Sequence, residues 1–135
     1  MGYIVAIGGG DNGWGSSQYE TQVIDEYIIK LANKKNPRFL FIGFAAKVPE
    51  EYFRTMVGIY SKYQCEFKHL DEEACKNGKA GSLIEEADII YVGGGNTYKL
   101  MCKIRNLGIA DLLIKAYNNY EDKVFCGVSA GAIIW

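Results

Sequence analysis

Short continuous apolar runs recur along this chain, and stretches with helical periodicity separate them; that alternation restricts the fold more than any other feature. The runs are residues 3–7 (Tyr-Ile-Val-Ala-Ile), 38–44 (Arg-Phe-Leu-Phe-Ile-Gly-Phe), 65–70, 88–92 (Asp-Ile-Ile-Tyr-Val) and 123–127. Brief apolar runs bounded by turn residues fit strands buried on both faces. Between the first two, Val23, Ile24, Tyr27, Ile28 and Leu31 recur at helical spacing, with Asp25, Glu26 and Lys30 on the other side. Asn36-Pro37 closes that helix, because proline disfavours helix in the residue before it. Pro49 stands where a second helix begins, and Tyr52, Phe53, Met56, Ile59, Tyr60 and Tyr63 trace its apolar face. Residues 82–86 form a short helical turn. Leu100, Met101 and Ile104 share a face of the next helix; Gly108 breaks it, and Ile109, Leu112, Leu113, Ala116 and Tyr117 mark another. Strands apolar on both sides and joined by helices form a parallel sheet covered on both faces, with right-handed crossovers. The expected fold is α/β: a doubly wound, mainly parallel sheet with helices on both faces, one domain over residues 1–135. Ligands of such a sheet bind at the carboxyl ends of its strands.

Composition bears on function mainly by exclusion. With 49% hydrophobic and 23% charged residues and a formal net charge of -1, the chain has no electrostatic reason to bind nucleic acid or an anionic membrane. No run approaches the ~20 apolar residues that span a bilayer. The four cysteines form no Cys-x-x-Cys pair. The series Cys65, His69, Cys75 matches no standard zinc spacing, so no metal site is expected. Reduced thiols and an amino terminus that reads as a strand rather than a leader point to the cytoplasm.

Three loops follow strands and should share one rim of the sheet. The most specific is Gly127-Val128-Ser129-Ala130-Gly131, entered from a strand and leading into Ala132-Ile133-Ile134-Trp135, which can start a helix. That is the setting of a nucleophile elbow: the turn is too sharp for side chains beside the serine, and it lifts the Ser129 hydroxyl clear of the sheet. The alternative is a tight strand-to-helix turn with a capping serine. The second loop is Gly93-Gly94-Gly95-Asn96-Thr97, whose bare backbone N–H groups can approach a ligand. An acyl-transfer site needs such donors for its oxyanion, so Gly95 (or Gly94) and Ala130 are the candidate oxyanion hole. Asn96 or Thr97 can also cap the helix that follows, and the two roles are compatible. The third loop, Gly8-Gly9-Gly10-Asp11-Asn12-Gly13, formally satisfies Gly-x-Gly-x-x-Gly, but the second strand ends without the ribose-binding carboxylate. Trp14-Gly15 moreover delays the helix that should meet a pyrophosphate, so no dinucleotide is expected.

Taken together, these loops resemble the dipeptidase E (alpha-aspartyl dipeptidase) family of serine peptidases, related to cyanophycinase and sharing the class I glutamine-amidotransferase-like fold. The most specific marks are Gly93-Gly94-Gly95-Asn96-Thr97 with Leu100 after it, and Gly127-Val128-Ser129-Ala130-Gly131-Ala132. The strand Phe39-Leu40-Phe41-Ile42-Gly43-Phe44-Ala45-Ala46 is similar to the family's second strand. The resemblance implies that Ser129 is the nucleophile, that the N–H groups of Gly95 and Ala130 form the oxyanion hole, and that Gly94 and Asn96 lie against the substrate. It further implies hydrolysis of short peptides with an amino-terminal aspartate, and no metal or organic cofactor.

One departure is large. In the family the histidine and the carboxylate follow the serine, whereas six residues follow Ser129 here and the sole histidine, His69, lies upstream. The chain is therefore expected to match the amino-terminal two-thirds of a family member, with the base on a segment outside it and His69 structural or exposed. Its apolar end is expected to leave hydrophobic surface for a partner or a second copy to cover. The alternative function is a catalytically inactive remnant that binds or oligomerises.

Overall fold

The structure is a computed structural model that describes residues 1–13 and 15–135. It contains one sheet of five parallel strands: β1 (Tyr3–Ile7), β2 (Arg38–Ile42), β3 (Glu66–His69), β4 (Ile89–Val92) and β5 (Val124–Val128). Their order across the sheet is β1-β5-β4-β2-β3. Helices α1 (Gln22–Ala32), α2 (Pro49–Tyr60), α3 (Glu72–Lys76), α4 (Ala80–Glu86), α5 (Thr97–Asn106), α6 (Ala110–Asn119) and α7 (Ala130–Ile133) connect them. One face of the sheet carries an aliphatic core, in which Leu40, Ile42, Ile90, Val92 and Phe125 meet α4, α5 and α6. The other carries an aromatic core, in which Phe39, Phe41 and Tyr91 meet α1 and α2. The parallel α/β expectation therefore holds, and the three interior strands are apolar on both faces because both faces are covered.

Position in the sheet corrects several details. The first strand was expected to be buried, but β1 is an edge: Tyr3 and Ile4 are each 45% exposed and only Ile7 is buried. The fifth strand lies between β1 and β4 with Val124–Gly127 buried, as expected, and Trp135 packs edge-on against Phe125 with ring centroids 5.4 Å apart. Ile133 of the apolar tail remains 69% exposed. β3 forms the opposite edge and alternates exposed with half-buried residues, as a one-sided edge strand should.

Helix α1 is rotated from its expected orientation. Asp25 is 2% exposed, while Val23 and Tyr27 point outward at 77% and 53%. The carboxylate tolerates burial because three hydroxyls donate to it: Tyr60 Oη at 2.6 Å, Tyr19 Oη at 2.8 Å and Thr21 Oγ1 at 3.2 Å. The helix also ends five residues before Pro37, at Ala32, where Asn33 adopts the left-handed conformation (φ 48°, ψ 40°) and its N–H bonds the Lys30 carbonyl. Proline is not the stop signal here. Helix α3, which the apolar pattern did not mark, is nucleated by Asp71, whose carboxylate accepts the Ala74 N–H at 2.8 Å. Among the described residues, no helix is long and apolar enough to cross a membrane.

Candidate active site

The chain leaves β5 at Val128, turns at Ser129 and enters α7 at Ala130. Two glycines permit the turn for a steric reason. A Cβ on Gly131 would overlap the Val92 carbonyl at the end of β4, and one on Gly127 would lie 2.8 Å from the same oxygen. The elbow is thus pressed onto the neighbouring strand. Ser129 bears the conformational cost, with φ 54° and ψ -114°. Asn33 and Gln64 also have positive φ, but both sit in the left-handed helical well that Ser129 avoids. A non-glycine residue held so far from the favoured basins stores about 1–3 kcal/mol of strain, and such residues concentrate at functional sites. The backbone fixes the distortion: the Ser129 N–H donates to the Ile7 carbonyl at 2.9 Å, and its carbonyl accepts from Ala132 and Ile133 at 2.9 and 3.1 Å. Its side chain is exposed and its hydroxyl has no hydrogen-bond partner among the described residues.

The glycine loop after β4 lies directly beside it. A Cβ on Gly94 would stand 3.4 Å from the Ser129 Cβ and 3.2 Å from the Val128 carbonyl. Gly95 has φ 141°, and a Cβ there would overlap the Ala45 carbonyl, so two independent constraints demand glycine. The N–H groups of this loop are allotted differently. Gly93 donates to the Ile42 carbonyl and Asn96 to the Ala45 carbonyl, both at 2.9 Å. Gly94 donates to the Tyr52 hydroxyl at 3.4 Å. The N–H of Gly95 is left without an acceptor among the described residues, and so is that of Ala130, the first residue of α7. The Asn96 side chain caps α5, its Oδ1 accepting the Lys99 N–H at 2.8 Å, and its amide nitrogen remains free to donate. Asn96 is thus the cap, one of the two the sequence allowed.

Sequence reasoning missed Tyr52 as a site residue and placed it only on the apolar face of its helix. Its ring packs on Phe41 at 5.0 Å and against Gly93, while its hydroxyl reaches the Gly94 N–H. Burial pushes its phenol pKa up, opposed in part by the Gly94 N–H, so the group is a neutral hydroxyl near pH 7. No local signal connects positions 52 and 94; only the packing of α2 over β2 and β4 brings them together.

His69 ends β3, three strand spacings from β5, or about 14 Å across the sheet. Its Nδ1 lies 3.1 Å from Glu50 Oε2, its ring stacks on Phe53 at 4.8 Å, and its side chain is 9% exposed. It is a packed residue of the far edge and cannot serve Ser129. The four cysteines are free, and no three metal-binding side chains gather among the described residues.

The loop after β1 occupies the other flank of Ser129, which is tied to Ile7. Gly10 and Gly13 take positive φ, and Asn12 pairs with Tyr19 in an isolated antiparallel bridge. The following helix starts only at Gln22, and its cap, Thr21, packs on Gly10 and donates its N–H to the Asp11 carbonyl, while Glu20 Oε2 accepts the Asp11 N–H, so a carboxylate stands where a pyrophosphate would have to bind. Trp14, which the sequence reading used against that motif, lies outside the described residues.

The profile of peptidase family S51 matches residues 4–135. The chain belongs to that family. An uncharacterized peptidase of Bacillus subtilis (strain 168), YgaJ, is 32% identical over the whole of this chain and 56% of its own length. Among solved structures, a peptidase from an acI-B1 Actinobacterium superposes with a TM-score of 0.69 at 21% identity, covering 97% of this chain and 55% of that one. A protein assigned as a peptidase E from Listeria monocytogenes EGD-e gives 0.66 at 23%, covering 82% and 55%. The S51 fold is shared with both. The chain spans just over half the length of these relatives, against the two-thirds that the resemblance implied.

Proposed function

We propose that this S51 chain is the nucleophile-bearing part of a serine peptidase acting on short peptides, with an amino-terminal aspartate as the preferred first residue. The observation that carries the reading is Ser129: exposed, unpartnered, strained, and set against a glycine loop that keeps one N–H free. Ser129 Oγ attacks the peptide carbonyl carbon while a base takes its proton. The carbonyl oxygen becomes an oxyanion held by the N–H groups of Gly95 and Ala130. The C–N bond then breaks, the base returns its proton to the departing amine, and water hydrolyses the ester on Ser129. Gly94 borders the bound peptide, and the free amide of Asn96 donates to it. His69 is too distant to act as that base, so the imidazole comes from outside residues 1–135.

Intact-mass analysis after fluorophosphonate treatment of the chain joined to the family's remaining segment, which supplies the base, tests this reading. The expected result is one adduct on Ser129, absent from Ser129→Ala. Labelling that persists in the variant, or none in either protein, would overturn it and leave the inactive, binding form of the fold. Comparing Asp-X with other dipeptides, in protein joined to the family's remaining segment, tests the aspartyl preference; equal rates would refute it.

A further inference from the structure

We infer that Tyr52 is a positioning residue that decides which N–H of the glycine loop faces the substrate; this rests on the peptidase reading of Ser129. Gly94 and Gly95 are adjacent donors beside the same serine, and an unconstrained triple-glycine run could present either one. Three anchors remove the choice. The Ile42 carbonyl holds Gly93, the Ala45 carbonyl holds Asn96, and the Tyr52 hydroxyl holds Gly94. Tyr52 is the only side chain among them, and it supplies the one anchor for the residue that touches Ser129. By drawing the Gly94 N–H toward α2, it leaves Gly95 as the only one of the three glycines whose N–H has no acceptor among the described residues. The ring is suited to the task. It is wedged between Phe41 and Gly93, where a Cβ would stand 3.0 Å from Tyr52 Cε2, so its hydroxyl is fixed by packing rather than by a flexible reach.

Tyr52→Phe keeps the ring and deletes the hydroxyl. Residue-resolved amide hydrogen exchange on the 135-residue chain reads the effect without activity. In the wild type Gly94 should be protected and Gly95 not. In Tyr52→Phe the protection of Gly94 should fall to that of Gly95, while Gly93 and Asn96, held by carbonyls, keep theirs and report that the loop is folded. In protein joined to the family's remaining segment, which supplies the base, the rate of fluorophosphonate labelling at Ser129 should fall about tenfold, less than the 10²–10³ lost with an oxyanion donor itself. An unprotected Gly94 in the wild type, unchanged exchange in the variant, or equal labelling rates would overturn the inference. Absence of labelling in the wild type, with the exchange pattern intact, would instead overturn the peptidase reading and leave only the loop geometry standing.

Discussion

At the amino ends of β2, β4 and β5 the charged groups are paired, whereas at the carboxyl ends of β4 and β5 the groups best able to bind something have no protein partner. At the first end, Asp88 accepts from the Arg38 backbone N–H at 2.8 Å and from Arg38 Nε and Nη2, both at 3.1 Å. Lys123 donates to the carbonyls of Glu85 and Ala87 and lies over the Tyr120 ring. At the second end, the Ser129 hydroxyl and the N–H groups of Gly95 and Ala130 stand free among the described residues, and Ser129 is strained. One rim is organised for stability and the other holds groups in readiness, the division expected of a sheet that binds ligands at its carboxyl edge.

The largest effect should come from the one place where the open rim is tightly packed. Gly131→Ala places a methyl on the Val92 carbonyl, and neither strand end can withdraw without breaking the ladder. Overpacking against backbone is expected to cost about 3 kcal/mol or more. Denaturant unfolding measures it; a cost below 1 kcal/mol would mean that the elbow does not press on β4.

The closed rim should show the next largest effect. Asp88→Ala deletes the acceptor for three donors and is expected to cost about 2 kcal/mol. Its pH dependence follows from the sign of the shift. Burial pushes the Asp88 carboxyl up, but its hydrogen bonds from Arg38 outweigh that and hold it below its usual value. A depressed carboxyl stabilises fully above its unfolded pKa and loses that contribution as pH falls through the folded one. The gap between wild type and variant should thus be constant above about pH 5 and close below about pH 4. A gap that widened in acid would refute the assignment.

The open rim should respond in the opposite sense. Ser129→Gly relieves the positive φ without creating a clash, because the Ser129 side chain is exposed. Unfolding should show a gain of about 1 kcal/mol, while fluorophosphonate labelling disappears. Loss of stability in this variant would remove the argument that strain is stored at Ser129.

The same contrast explains what the sequence could and could not disclose. The interior strands were legible because burial on both faces leaves continuous apolar runs, and the elbow was legible because its steric demand selects glycine at 127 and 131. Ser129, Gly94, Gly95, Asn96 and Ala130 were candidates on those two motifs, and the structure gathers them on adjacent strand ends. Residues whose role depends on distant partners were not legible. Asp25 looks like any solvent-facing carboxylate until Tyr19, Thr21 and Tyr60 converge on it. Tyr52 looks like core until Gly94 is beside it. The exposure of β1 depends on strand order, which apolar runs do not encode.

The smallest effect should fall on the other flank of Ser129. Gly8 and Gly9 follow β1 as Gly93 and Gly94 follow β4, yet a Cβ on either would meet nothing within 4 Å among the described residues, and neither has positive φ. Gly8→Ala should therefore leave stability unchanged or raise it by about 0.5 kcal/mol, since alanine restricts the unfolded chain more than glycine does. Thermal unfolding is sensitive enough to detect that. A loss above 1 kcal/mol would mean that this flank is packed as closely as the loop after β4. The asymmetry between the two loops would then vanish, and with it the reason for reading the space beside Ser129 at the end of β1 as the open side of the site.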